Sequence, residues 1–284
     1  MSSFAIVTDS TANLPKAFIE KQGIYVLPLT WISGEKEYSG SMEGEREAYA
    51  LFYEKLRKEK HISTSMSNQR TAQKLVQKLL SEEKDILYIG LSSKLSGTFH
   101  MMERVLGYEA KKYPERKWYA VDSFAIGLGE GSLVFDAAKI RRRGEEIGAA
   151  YAWCCQRRWR LHTLFTVDDL GFLRRSGRAN AVLSTAGSVL KIKLLFSMQD
   201  GGKLRQVGKV RGRKKALQEL TTQALTGLTE PQTIYISHGD CHEDACYVAK
   251  QMEKSEFVKN IIMQPLDPVS ACHTGPNSIG IFFV

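Results

Sequence analysis

Three hydroxyl-rich stretches are the places where this chain could hold an anion: Thr8-Asp9-Ser10-Thr11, Ser63-Thr64-Ser65-Met66-Ser67 and Ser92-Ser93-Lys94-Leu95-Ser96-Gly97-Thr98. Each borders a run of strand character. Hydroxyls and free backbone N–H groups at helix starts favour a carboxylate or a phosphate. Any one stretch alone reads more readily as a cap or a turn, the common use of Ser, Thr and Asp. Three of one character point to a shared ligand without naming it. Two cationic stretches form the second feature. A guanidinium of Leu173-Arg174-Arg175-Ser176-Gly177-Arg178 could pair bidentately with a carboxylate or phosphate. Lys209-Val210-Arg211-Gly212-Arg213-Lys214-Lys215 marks a strand-to-helix junction, where a solvated charged face is the plain alternative. His273, in Ala271-Cys272-His273-Thr274-Gly275-Pro276, reads as a loop residue facing a ligand just before a strand.

Catalytic patterns are sparse. The chain has no G-x-x-x-x-G-K-[ST], G-x-G-x-x-G or G-x-S-x-G. Asp9-Ser10-Thr11 could suggest a phosphotransfer aspartate, but without a partnering acid a capping role fits better. A serine hydrolase built on Ser96 or Ser123 with His273 would need a base and an orienting acid that the sequence does not place. His238, Cys241, His242 and Cys246 are the one candidate metal cluster, with a spacing that matches no standard zinc arrangement. No metal is expected there.

The elements that must position these residues differ between the two halves. Apolar runs at Phe4–Val7, Ile24–Leu29, Ile86–Leu91 and Trp118–Val121 alternate with helical stretches around Pro15–Lys21, Glu45–Lys60, Gln69–Leu80 and Phe99–Lys112. Such βα succession predicts a mostly parallel sheet with helices on both faces, and Pro28 assigns its strand to an edge or bend. From about Arg160 the style changes. A strand at Leu164–Val167 and a hairpin of Leu194–Met198 with Leu204–Val210 across Gln199–Gly202 come first. A helix from Arg213 to about Leu225, stopped by Gly227, then leads to strands at Thr233–Ile236 and Ile279–Val284 around a helix near Glu243–Glu253. The expected class is α/β, with an N-terminal βα-alternating domain (1–160) and a C-terminal α+β domain (161–284) whose sheet is mixed and mostly antiparallel.

Composition bounds the rest. The 284 residues are 43% hydrophobic and 25% charged, with 40 Lys+Arg against 31 Asp+Glu. That is a globular composition of about two domains' length, with no run of about 18 apolar residues to span a membrane. The N-terminus has no signal-peptide pattern, and five cysteines in no regular framework fit a reduced, cytoplasmic protein. The net charge of +9 is uneven: residues 139–215 hold 19 basic and 5 acidic residues, and the rest holds 21 and 26. Hence a +14 middle sits in a −5 remainder, which would suit nucleic acid, a membrane surface, a phosphate-bearing ligand or an acidic protein. No recognition-helix, RRM or KH pattern accompanies it.

The pieces in sequence order are specific. They include Ile6-Val7-Thr8-Asp9-Ser10-Thr11, Val26-Leu27-Pro28-Leu29, Thr64-Ser65, Leu91-Ser92-Ser93-Lys94-Leu95-Ser96-Gly97-Thr98, Val121-Asp122-Ser123 and Ser176-Gly177-Arg178. Lys191-Ile192-Lys193, Asp200-Gly201-Gly202-Lys203-Leu204, Arg211-Gly212 and His273-Thr274-Gly275-Pro276 follow. With them the chain resembles the DegV family of bacterial fatty-acid-binding proteins over almost its whole length. The resemblance implies a long-chain fatty acid held between two domains, with its tail in an apolar tunnel and no other cofactor. Thr64, Ser65, Ser96 and Gly97 would meet the carboxylate, with Arg178, His273 and Thr274 at the pocket mouth. It further implies a carrier rather than a catalyst, which presents the acid to a separate ATP-dependent fatty acid kinase for acyl-phosphate formation. Arg211, Arg213 and Lys214 would then dock that kinase, in preference to nucleic acid, and a transient contact with a membrane surface is compatible with the role. The chain departs from the family pattern at Met66-Ser67, at Ser176 and Ala179, at Ser39-Gly40 and at Asn277.

Overall fold

A computed structural model of the protein describes residues 4–41, 46–59, 62–178 and 192–284. Of the residues named above, Glu45, Lys60, Ala179 and Lys191 lie outside these. The chain begins with β1 (Ala5–Asp9), α1 (Lys16–Gln22) and β2 (Ile24–Leu27). Next come β3 (Thr30–Ser33), β4 (Lys36–Ser39), α2 (Arg46–Lys58), β5 (Ile62–Ser65) and α3 (Gln69–Ser81). β6 (Ile86–Gly90), α4 (Thr98–Glu109), β7 (Trp118–Asp122), α5 (Leu128–Arg142) and α6 (Ile147–Arg157) complete the first half.

β2, β1, β6 and β7 form a parallel sheet in that order, with the Pro28-terminated strand at an edge. Its strands are apolar on both sides because both sides are covered. Ile6, Leu87 and Ile89 pack toward α5 and α6, whereas Ala5, Val7, Ile86 and Tyr88 pack toward α3 and α4. The alternation has the period of two that a pleated strand imposes. Each such fully buried Ile or Leu stabilises the fold by roughly 1.5–3 kcal/mol.

The second half contributes β8 (His162–Thr166), α7 (Leu170–Ser176), β9 (Ile192–Gln199), β10 (Lys203–Arg211), α8 (Arg213–Gly227) and β11 (Gln232–His238). α9 (His242–Met252), β12 (Val258–Pro265), α10 (Pro268–Thr274) and β13 (Ile279–Phe283) follow. The sheet order is β10-β9-β8-β13-β11-β12, antiparallel throughout except for the β11–β12 pair. α8 and α9 cover one face through Leu217, Leu220 and Val248. On the other face Tyr235 and Phe282 pack on Leu128 and Phe135 of α5, which ties the two sheets together.

Three local expectations are corrected. Ser63–Ser65, in a stretch read as a cap or a turn, lies in strand β5 of a small antiparallel sheet, β4-β3-β5. Its pairing with the Trp31 strand makes it extended; its own sequence holds a single apolar residue. His273, read as a loop residue, occupies the last turn of α10, which Asp267 caps by accepting the Ser270 N–H at 2.9 Å and which Pro268 starts. Gly227 does not stop α8 but is its last residue, and Leu228 follows as the cap.

Candidate functional site

The carboxyl ends of β1, β2 and β6 open onto a cavity of about 390 Å³ whose far wall is the antiparallel sheet. Leu29, Leu91, Leu95 and Ile126 line it from the first half, and Phe165, Leu173, Met198 and Leu204 from the second. Thr11, Thr64, Ser65 and Ser96 bring all three hydroxyl-rich stretches to its wall, and α10 adds Val269, Ser270, His273 and Thr274. Gly97 and Arg178 border it as well. The volume and the mixture of apolar walls with a few convergent polar groups are those of a small-molecule site.

The polar groups are held by their elements. β5 pairs with β3 so that Thr64 stands opposite Trp31 and Ser65 opposite Thr30. Trp31 in turn stacks on Tyr38 at 4.2 Å and packs with Phe52, Tyr53, Leu266 and Cys272, which locks the small sheet against the start of α10. This contact sets Thr64 Oγ1 2.8 Å from His273 Nε2. The His273 Nδ1 is buried without a partner. Burial, reinforced by the Arg178 charge, lowers its pKa to about 4, so the ring is neutral near pH 7. With the proton on Nε2, the Thr64 hydroxyl is free to donate into the cavity. A smaller recess of about 90 Å³, lined by Arg175 and Ser176 among others, shares Thr64, Arg178 and His273 with the main cavity. Arg178 is exposed and donates to the Ser176 carbonyl at 2.6 Å.

Ser96 accepts the Thr98 N–H at 3.2 Å and lies 3.0 Å from the Thr98 hydroxyl, so it also caps α4. The Met66 sulfur lies directly over Gly97, 2.6 Å from where a Cβ would stand, and as the end of an exposed, flexible side chain it could move aside. Neither Ser96 nor Ser123 hydrogen-bonds an imidazole among the described residues; Ser123 Oγ pairs with the N–H and carbonyl of Ala125.

Beneath Thr11 lies a buried acidic network. Asp9 accepts from the N–H and hydroxyl of Thr11 and from the Leu91 N–H, which makes it the cap its sequence suggested. Glu130 accepts from Thr8 at 2.9 Å and Thr11 at 3.0 Å. Burial raises the pKa of both carboxyls, and the charges of Asp9 and Asp267 raise that of Glu130 further. Glu130 escaped notice in the sequence because one acid inside a glycine-rich helix carries no pattern. The glycine beside it was the available signal: a Cβ on Gly131 would come within 2.4 Å of the Ala12 carbonyl, so only glycine lets α5 approach this closely.

The residues assigned to docking lie elsewhere. Arg211 and Lys214 are exposed, whereas Arg213 is half-buried and clasps Asp244 at 2.8 and 2.9 Å. Cys241 donates to the Ser278 carbonyl and Cys246 contacts His242 at 3.4 Å. No group of three or more His, Cys, Asp or Glu among the described residues could hold a metal ion. None of the described helices is long and apolar enough to cross a membrane.

Comparison with known proteins gives a coherent result. A DegV domain-containing protein of Clostridium perfringens is 34% identical over 286 residues, covering 100% of this chain and 98% of the relative. The structure of a Thermus thermophilus DegV family protein, described for its fatty acid binding, superposes with a TM-score of 0.87 at 26% identity, covering 99% and 98% of the two chains. DegV of Bacillus subtilis, described as a fatty acid binding protein, superposes with a TM-score of 0.83 at 26% identity over 99% of both chains. The family model described as "Uncharacterised protein, DegV family" matches residues 3–284, and the chain belongs to the DegV family.

Proposed function

We propose that this protein binds a long-chain fatty acid, with the acyl tail along the apolar walls and the carboxylate among Thr64, Ser65, Ser96, Gly97, His273 and Thr274. The observation that carries the reading is the single cavity of about 390 Å³ that joins these polar groups to Leu91, Phe165, Met198 and Leu204. A carboxylate taken from water needs charge-assisted hydrogen bonds, because an unpaired buried ion is very costly. Hydroxyl donors from β5 and from the β6–α4 loop supply them, and Arg178 adds its charge at the mouth. The fatty acids bound by the DegV proteins of T. thermophilus and B. subtilis support the same ligand class.

In this reading residues 1–160 and 161–284 act as two domains closing on the acid. The protein is a carrier that offers the carboxylate to a separate ATP-dependent kinase, which forms the acyl phosphate. Arg211 and Lys214 are the docking cations. Arg213 supports them by fixing the start of α8 to Asp244.

Protein purified from a bacterial host is expected to carry a long-chain fatty acid, released on denaturation and read by mass spectrometry. Folded protein that yields no lipid would overturn the reading. Ser96→Ala and Arg178→Ala are each expected to weaken fatty-acid retention about tenfold or more, the value of one lost hydrogen bond to a charged group. Unchanged retention in both would remove these residues from the site. The carrier step is tested by supplying loaded protein, ATP and a purified fatty acid kinase. Acyl phosphate should form, and Arg211→Glu with Lys214→Glu should slow it without unloading the acid.

A further inference from the structure

Met66 has no role in the reading above, yet it sits on the polar part of the cavity. Its side chain is 48% exposed and lines the cavity, and its sulfur rests on Gly97 at the start of α4. Four other methionines are shielded, Met101 at 3% exposed, Met102 at 0%, Met198 at 7% and Met252 at 0%, and Met263 is half-buried. A soluble hydroperoxide therefore meets the Met66 thioether ahead of the shielded four. We propose that Met66 is a site of reversible oxidation, and that its sulfoxide expels the carboxylate ligand.

In the reaction a sulfur lone pair attacks one oxygen of the hydroperoxide, and the O–O bond breaks. The sulfur loses two electrons and becomes the sulfoxide. The second oxygen leaves with the protons as water, or as an alcohol from an organic hydroperoxide. An apolar side chain thereby becomes a polar one that accepts hydrogen bonds and donates none. Its position decides the consequence. Beyond the Thr98 N–H, which Ser96 accepts, the first N–H groups of α4 have no partners within the helix, and the start of α4 lies under the Met66 sulfur. Ser65 and Ser96 supply the nearby hydroxyls. These are the donors that a ligand carboxylate needs. A tethered acceptor competes for them at high effective concentration and adds electrostatic repulsion against the incoming anion. A glutamine side chain at the same place would be polar too, but could donate to the carboxylate.

The inference rests on the fatty-acid reading, and one experiment separates the two. Reduced wild-type protein, Met66→Leu and Met66→Gln are loaded with oleate, and retention is measured before and after limited treatment with hydrogen peroxide. Peptide mapping locates the sulfoxide. Reduced wild-type protein is expected to hold oleate, and each variant is compared with its own reduced state. Peroxide should oxidise Met66 ahead of Met101, Met102, Met198 and Met252 and weaken wild-type retention about tenfold, with recovery after a methionine sulfoxide reductase. Both variants should be unaffected by the same dose. Sulfoxide at Met66 with retention unchanged, or equal loss in Met66→Leu, would overturn the release step. Failure of the reduced wild type to hold oleate would instead overturn the fatty-acid reading, and the release step with it.

Discussion

Thr11 touches both the cavity and the buried carboxyls of Asp9 and Glu130, so the protonation of those acids bears directly on the site. Burial raises the pKa of both acids, and for Glu130 the neighbouring Asp9 and Asp267 charges add to it, so the neutral form is favoured there relative to an exposed carboxyl. A neutral amide should therefore replace Glu130 well. Glu130→Gln is expected to change the free energy of unfolding by less than about 1 kcal/mol in urea titrations. Glu130→Leu, which strands the Thr8 hydroxyl, should cost about 1–3 kcal/mol. Asp9 was legible as a cap from its place at the end of an apolar run. Its buried partner was not, because the contact spans 121 positions of sequence and depends on how closely α5 packs.

Strand β6 was readable at once, since Ile86-Leu87-Tyr88-Ile89 is apolar on both faces and must be buried on both. The small sheet was not. β4 and β5 are short and polar, and they are strands only because Trp31 on β3 gives them a place to pair and pack. The same dependence hid the helical position of His273, whose seven-residue helix is started by Pro268 and covered by that sheet. Trp31→Ala is accordingly expected to cost about 3–5 kcal/mol, the usual value for a buried aromatic. It should also lower fatty-acid retention, because Thr64 and Ser65 hang on the strand that Trp31 holds. A variant with normal retention and the expected loss of stability would mean that β5 keeps its place without Trp31.

Across the whole molecule the basic middle segment dissolves into separate surfaces. Arg157 and Lys139 both pair with Asp136, Arg160 with Glu230, Lys193 with Asp168, Arg205 with Asp200 and Arg213 with Asp244. Arg141 donates to the carbonyls of Phe4 and Gln22. Many of these charges hold elements together instead of facing a polyanion, which the linear count could not reveal. Buried titratable groups shape the pH response instead. His238 and His273 are lowered to about 4, so their stabilisation is complete above about 6.5 and is lost as the pH falls toward 4. Asp267 is raised to about 7 by burial; its contribution is complete below about 4 and is lost as the pH rises through 7. Between these limits the opposing trends offset one another. Above pH 6.5 only the carboxyls still act, so the urea midpoint should fall between pH 6.5 and 8. Asp267→Asn, which can still cap α10, should flatten that fall and be more stable than wild type at pH 8. An equal decline in both proteins would assign the slope to other groups.

β13 lies between β8 and β11 in the six-stranded sheet, although β8 precedes it by more than a hundred residues. During vectorial synthesis, β8 and β11 both emerge before the strand that joins them, and α10 emerges just ahead of that strand. A nascent chain ending at Leu266 would already have every strand of the parallel sheet, but neither His273 nor the strand that joins β8 to β11. The imidazole and the strand that closes the sheet thus arrive together, in one short stretch made late.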